Sequence, residues 1–236
     1  MKQILLAHRG YSGIAPENTR LAFDAALIFG FDGFEIDVHQ TKDNVLVVIH
    51  DETTNRTAKS NRTVGKSTYK ELLEDDHSLF MGKNLPIQRI LTLEELLDLY
   101  IEHVQYLNIE IKTDVTEYEG IEENINNLMS KYKKHWNKII FSSFNYNSLR
   151  RLYVLNPKLR YGFLWWKESQ LKNINVSEML SFCEFLHPWL PMYEKDKELY
   201  LSWNKKFCLW TIKSIQNFDK YKNDKNVFAQ ISNYKY

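Results

Sequence analysis

Cysteine is nearly absent: the 236 residues hold two, Cys183 and Cys208. Two thiols in a chain of this length make no disulfide framework, and the pair reads as buried thiols in a reducing compartment. Long apolar runs are missing too. No stretch approaches the roughly 20 apolar residues that span a bilayer, which excludes stable membrane insertion by a helix. The N-terminus, Met1-Lys2-Gln3, leads only into the short apolar run Ile4 to Ala7, too little for a signal-peptide core. Cytoplasmic residence is the expectation. An excess of either charge is also lacking: 31 Lys and Arg face 30 Asp and Glu. That balance supplies no field for nucleic acid or an acidic membrane. No low-complexity segment is present.

What is there is 44% hydrophobic and 26% charged, which suits a globular chain with a real core. One domain over residues 1–236 is the expectation, since α/β barrels reach about 250 residues as a unit. Ile4 to Ala7 reads as a short buried strand. Leu21, Ala22, Ala25, Ala26 and Phe29 follow a helical period. Phe34, Ile36 and Val38 then alternate with Glu35, Asp37 and His39, a period of two. Val45 to Ile49 is another β-rich run. Residues from about 53 to 89 are polar and irregular and read as an insertion with little core of its own.

Beyond the insertion the alternation is regular. Helices are predicted at 93–100, 121–132, 146–155, 176–182 and 215–221, the first opened by a Thr92/Glu95 capping box. Strands are predicted at 106–111, 139–142, 159–164, 185–187, 207–210 and 227–231. Setting the Val45 run aside, eight strands separated by helical or long connections predict parallel pairing with helices outside. A closed (β/α)8 TIM barrel is the favoured fold, and an open doubly wound sheet is the alternative.

Four polar clusters sit at strand ends: His8-Arg9-Gly10, Glu35-x-Asp37, His50-Asp51 and Glu110-x-Lys112. In such a barrel the C-terminal strand ends form the active-site face. Only a tight link separates the strand ending near His39 from the one starting at Val45, so the two form an antiparallel hairpin. With Asp43-Asn44 as a two-residue turn, Lys42 pairs with Val45 and Asp37 falls opposite His50. Glu35 and Asp37 share a face, and His50 would stand beside both.

Three carboxylates, Glu35, Asp37 and Glu110, without Cys or His-rich spacing, suit a hard divalent cation: Mg²⁺ or Ca²⁺, with Mn²⁺ as a further candidate. Arg9 and Lys112 add positive charge suited to phosphate. His8 and His50 are candidate acid and base. Together these groups fit phosphodiester cleavage. Taken singly, each has an ordinary structural reading: a satisfied histidine, a solvated strand face, a cross-strand salt bridge. Joint placement at one face carries the functional reading. Aromatics also fall near strand ends: Phe144, Trp165, Trp166, Trp189 and Trp210. Their functional reading is a wall for an alcohol, and a quaternary ammonium would suit it; Trp210 is the leading candidate.

The ordered set His8-Arg9-Gly10, Ala15-Pro16-Glu17-Asn18-Thr19, Glu35-Ile36-Asp37-Val38 and His50-Asp51 resembles the glycerophosphodiester phosphodiesterase signature. Glu110-Ile111-Lys112, Ser142-Ser143-Phe144 and Leu209-Trp210-Thr211 resemble its later motifs. The resemblance implies a barrel with an insertion after His50-Asp51. It implies hydrolysis of a small glycerophosphodiester, such as glycerophosphocholine, to glycerol 3-phosphate and an alcohol. It assigns Glu35, Asp37 and Glu110 as metal ligands, His8 and His50 as the acid–base pair, and Arg9 and Lys112 as phosphate contacts. It also implies attack by the substrate's own glycerol hydroxyl and a cyclic phosphate, with His50 favoured as the first acid. Glu17 and Asn18 are expected to support the ligands from behind, and His39 falls at a variable position.

Two departures stand out. The last strand, Asn226 to Asn233, lacks the family's Gly-Val-Asp-Gly-like lead and its terminal Asp, and Ile90-Leu91-Thr92 lacks the proline usual before the threonine. Two rivals follow: a phospholipase D-like or phosphoinositide-cleaving relative acting on lipid, and a catalytically silent binding barrel. The absence of a basic excess argues against the first, and the intact set of ligands and histidines against the second. Oligomeric state is not legible.

Overall fold

The computed structural model describes residues 3–82 and 84–236. Met1 and Lys2, which open the N-terminal stretch read above, and Lys83 in the predicted insertion lie outside the described residues. Ten strands follow in chain order: β1 (Ile4–His8), β2 (Gly33–Gln40), β3 (Leu46–Val48), β4 (Leu91–Thr92), β5 (Tyr106–Ile111), β6 (Ile139–Ser143), β7 (Arg160–Trp165), β8 (Phe185–Pro188), β9 (Lys206–Ile212) and β10 (Val227–Ser232). β1 pairs in parallel with both β2 and β10, so β1, β2, β5, β6, β7, β8, β9 and β10 close into an eight-stranded parallel barrel. Closure overturns the open-sheet alternative.

The helices form where the apolar period predicts them. Leu93–Tyr100 buries Leu93, Leu96, Leu97 and Tyr100, one face at helical spacing. Its Thr92/Glu95 capping box is formed, satisfying amides that the first turn leaves unpaired. Thr19 caps Arg20–Ile28, and Asn145 caps Tyr146–Leu155. The predicted helix at 121–132 instead runs Ile121–Met129 and continues as 3-10 turns over Ser130–Lys138. Short helices at Glu168–Lys172, Leu190–Lys195 and Lys197–Ser202 have too few residues for a period to be read from sequence.

Two packed layers result. The larger lies between strands and helices, and the smaller fills the barrel with Leu6, Ile140, Phe185, Cys208, Ala229 and Ile231. Both cysteines are buried and unpaired, as expected. Between β3 and β4 the chain forms three short turns of helix: Asn55–Ala58, Val64–Lys66 and Tyr69–Leu72. They rest on a small cluster of Val47, Ile49, Val64, Leu72 and Ile90. Among the described residues no helix is long and apolar enough to cross a membrane.

The β2–β3 hairpin corrects the expected register. Val38 pairs with Val48 and His39 with Val47, which places Ile49 rather than His50 opposite Asp37. The Ile49 amide donates to the Asp37 carbonyl at 3.1 Å. The turn holds three residues, Lys42 to Asn44, with Thr41 N–H donating to Val45 O and Asn44 at φ +63°. A three-residue loop ending in a left-handed residue is a common hairpin closure, and Asn tolerates that conformation. One extra loop residue shifts every pairing by one.

Candidate active site

The parallel register aligns the polar residues at the barrel mouth. His8 pairs with Glu35, Glu35 with Asn108, Asp37 with Glu110, and Glu110 with Ser142. Alternate residues of a strand share a face, so these positions turn into the barrel together. Glu35, Asp37 and Glu110 are all buried, with oxygens within 4.8 Å of one another, close enough to share one cation. A cavity of about 170 Å³ opens above them, lined by His8, Arg9, Glu35, His50, Asn108, Glu110, Phe144 and Trp210 among others.

Burial and mutual repulsion set the charges here. Burial first, then the neighbouring Asp37 and Glu110, pushes Glu35 well above the usual carboxylate range. Burial also lifts Glu110, against the pull of Lys112. Asp37 goes the other way: burial is outweighed by the charges of Arg9, His50 and Lys112 and by a hydrogen bond from Asn18. Asn18 Nδ2 donates to Asp37 Oδ2 at 3.0 Å, and Arg9 Nε lies 3.3 Å from the same oxygen.

Local backbone geometry serves this packing. Arg9 sits at φ +58° and Gly10 at φ +73°, turning the chain sharply where β1 ends. A Cβ on Gly10 would fall 2.7 Å from Ala22 Cβ, so the turn can close only on glycine. The Arg9 amide then donates to Glu35 O at 2.8 Å, locking the loop to β2.

The two histidines are held differently. His8 Nδ1 donates to Asn233 Oδ1 at 2.6 Å, which leaves Nε2 as the unprotonated nitrogen, 3.8 Å from Glu35. Burial, then the Arg9 charge, lowers His8 to about 4. His50 Nδ1 donates to the Asp51 carboxylate at 2.6 Å. Although the hairpin register does not place His50 beside Asp37, the chain leaves β3 after Val48 and bends at 50–52, and His50 reaches the cavity by that bend. His39 is fully buried and donates from Nε2 to the His50 carbonyl at 3.0 Å, with Tyr118 OH donating to its Nδ1 at 2.7 Å. It anchors the bend and does not line the cavity.

A sequence profile of the glycerophosphoryl diester phosphodiesterase family matches residues 8–185. The chain belongs to the glycerophosphoryl diester phosphodiesterase family. MG293 of Mycoplasma genitalium is 48% identical over 236 residues, covering all of this chain and 97% of that protein. A glycerophosphodiester phosphodiesterase of Caldanaerobacter subterraneus is 41% identical over 165 residues, 70% of this chain and 68% of that one. A phosphodiesterase of Oleispira antarctica, solved with its product sn-glycerol-3-phosphate, superposes with a TM-score of 0.82 at 27% identity. The match covers 99% of this chain and 94% of that one. As a member of this family the chain is an enzyme of the phosphoric diester hydrolase class.

Of the phosphodiesterase residues expected from sequence, His8, Arg9, Glu35, His50, Glu110 and Trp210 line the cavity. Asp37 stands behind its wall within the carboxylate cluster, and Lys112 Nζ is tied to Glu110 Oε1 at 2.8 Å. Glu17 and Asn18 lie behind the site, on Arg9 and Asp37 respectively. Trp165 is fully buried against Tyr200 and Trp203 in the helix layer, so it is no part of the mouth.

Sequence reading missed three supporting residues. Asn233, immediately after β10, accepts the hydrogen bond from His8 Nδ1. Asn108, buried beneath the cavity, donates to Ser142 Oγ at 2.9 Å and leaves its Oδ1 unpartnered. Arg56, from the segment between β3 and β4, grips both Glu17 and Asp51 with paired hydrogen bonds of 2.7–3.0 Å. Only the His50-Asp51 adjacency hinted that something must restrain that aspartate.

Proposed function

We propose that the chain hydrolyses glycerophosphodiesters to glycerol 3-phosphate and an alcohol, with one divalent cation held by Glu35, Asp37 and Glu110. The observation that carries this reading is three buried carboxylates within 4.8 Å, flanked by two histidines whose Nδ1 atoms are held, one by the Asn233 amide oxygen and the other by the Asp51 carboxylate. Carboxylates repelling each other in a buried site are the donor set that a hard cation relieves. The cation, when bound, would polarise a phosphoryl oxygen and offset its developing charge. Mg²⁺ and Ca²⁺ suit the all-oxygen ligands, and Mn²⁺ is acceptable.

His8 presents an unprotonated Nε2 to the cavity and serves as base for the substrate's glycerol hydroxyl. His50, oriented by its Nδ1 hydrogen bond to Asp51, delivers a proton to the leaving alcohol. A cyclic phosphate results, and water opens it with the two roles exchanged. Arg9 and Lys112 supply positive charge to the phosphate, and Trp210 walls the bound substrate. The small cavity supports a small-molecule diester as substrate.

A coupled assay for glycerol 3-phosphate over a panel of diesters tests the reading. Activity should vanish in chelator and return with Mg²⁺, Ca²⁺ or Mn²⁺. Full activity after chelation would remove the carboxylate site from the mechanism. His50→Ala should cost about 10²–10⁴ in kcat, and wild-type turnover in that variant would remove His50.

A further inference from the structure

The lining of the catalytic cavity carries one polar group that the reaction proposed above leaves unused. Asn108 lies on β5 two residues before Glu110, so both side chains turn into the barrel. Its backbone is in register with Glu35 on β2. Asn108 is 1% exposed and yet lines the cavity. Its amide is held from one side: Nδ2 donates to Ser142 Oγ at 2.9 Å, and Ser142 is fully buried on β6. That bond fixes the rotation of the amide and leaves Oδ1 as a buried acceptor without a hydrogen-bond partner among the described residues. One other buried polar atom of the lining shares that condition, Arg9 Nε, but it lies 3.3 Å from Asp37 Oδ2. A buried oxygen without a donor is costly, so Asn108 marks where a donor enters the cavity.

Resting on the phosphodiesterase reading, we propose that Asn108 is a specificity-determining residue whose Oδ1 accepts a hydrogen bond from the terminal hydroxyl of the substrate's glycerol. Charge and hydrogen-bonding capacity narrow its partner. A phosphodiester group offers only acceptors, which an amide oxygen would repel, and Arg9 and Lys112 serve it instead. The hydroxyl beside the phosphoester gives its proton to His8 in that reading, so its donor is committed. The terminal hydroxyl has no such role, and it leaves water with the rest of the glycerol. Leu164 and Ile231, apolar members of the lining, offer it no acceptor, and Asn108 Oδ1 does. A site built to hydrogen-bond a hydroxyl rejects an analogue that lacks it, because the acceptor is then left buried and unpaired. Asn108 thereby separates glycerol diesters from diesters of propane-1,2-diol, which keep the attacking hydroxyl and lose the terminal one.

The test measures kcat/KM for the ethanolamine diesters of glycerol phosphate and of propane-1,2-diol phosphate in wild type, Asn108→Leu and Asn108→Ser. Each preference is a ratio within one protein, so it does not depend on the fraction of a variant that folds. Wild type should favour the glycerol diester by about fivefold to 150-fold, the factor set by leaving a buried acceptor unpaired. Asn108→Leu should abolish the preference, and Asn108→Ser, which restores an acceptor, should recover part of it. A wild type that turns over both diesters equally, or an Asn108→Leu that keeps the wild-type ratio, overturns the assignment. Mn²⁺ affinity, followed by the paramagnetic resonance of the metal, should be unchanged in Asn108→Leu. A loss there as large as the loss of preference would make Asn108 a cation ligand and overturn the assignment as well. If wild type hydrolyses neither diester, calorimetric binding of sn-glycerol 3-phosphate and of propane-1,2-diol 1-phosphate decides. A wild-type preference for the first that is lost in Asn108→Leu sinks the reaction and leaves the hydroxyl contact standing, and equal binding by wild type sinks both.

Discussion

The two sides of the barrel mouth are built on opposite principles. On one side β2 and β5 deliver Glu35, Asp37, Glu110 and, one residue beyond β5, Lys112, all buried and all tied to a partner or to each other. On the other, β7, β8 and β9 end in Trp166, Trp189 and Trp210, which form an open hollow with few directional contacts. Buried charge is costly unless paired, so the polar side is over-determined: Asp37 alone is held by Asn18 and Arg9. Indole faces need no such restraint to bind, so the aromatic side can stay exposed. Directional restraint is concentrated on the carboxylate side and is sparse on the tryptophan side.

The contrast can be broken first on the polar side. Asp37→Asn keeps the shape and an acceptor for Asn18 but removes the charge. Turnover should fall at least about a thousandfold, equivalent to several kcal/mol of lost transition-state stabilisation. Glycerol 3-phosphate release over a divalent-cation titration measures this, and near-normal turnover would show that the cluster's charge is not needed.

On the aromatic side, adjacent residues should behave oppositely. Trp165→Ala empties a fully buried site against Phe163, Tyr200 and Trp203 and should cost about 3–5 kcal/mol of stability. Trp166→Ala should change stability by less than about 0.5 kcal/mol. Urea unfolding of the two variants would sharpen the line between core and rim, and equal losses would erase it.

The smallest effect is expected at the clamp behind the polar side. Burial would raise Glu17, but the Arg56 hydrogen bonds and the Arg9 charge hold it below the ordinary carboxylate range. Asp51 is lowered in the same way: burial is outweighed by His50 and Arg56. A lowered native pKa stabilises the fold above the unfolded-state value and is lost as the pH falls through the native one. Arg56→Ala should therefore lose up to about 1 kcal/mol near pH 7, discounted because Arg56 is partly exposed. The gap should narrow on acidification below pH 4.5, the ordinary glutamate value. Unfolding midpoints of both proteins across that range would check it; a gap that widens at low pH would contradict the clamp.

What was legible in sequence is what depends on neighbours along the chain. The period of two in Phe34 to Val38 sets Glu35 and Asp37 on one face of β2, whatever surrounds it. The Thr92/Glu95 capping box likewise closes within four residues. The eight-strand alternation predicted parallel pairing and favoured a barrel, because parallel strands need crossovers and short helices provide them, while the pairing of β1 with β10 excluded the open sheet. Contacts set by closure were beyond reach. Asn233 meets His8 across 225 residues, and Arg56 meets Glu17 across 39. Nothing local marks either residue, since their positions depend on how the ring of strands joins. The hairpin register failed for a related reason: one residue in the turn changes every partner, and turn length follows from Asn44 adopting a left-handed conformation. By itself, then, the sequence determined the strands, their faces and the cluster of carboxylates. Only the closed barrel decided which side chains hold the histidines and which tryptophans face the mouth, because those contacts exist only after distant strands are brought together.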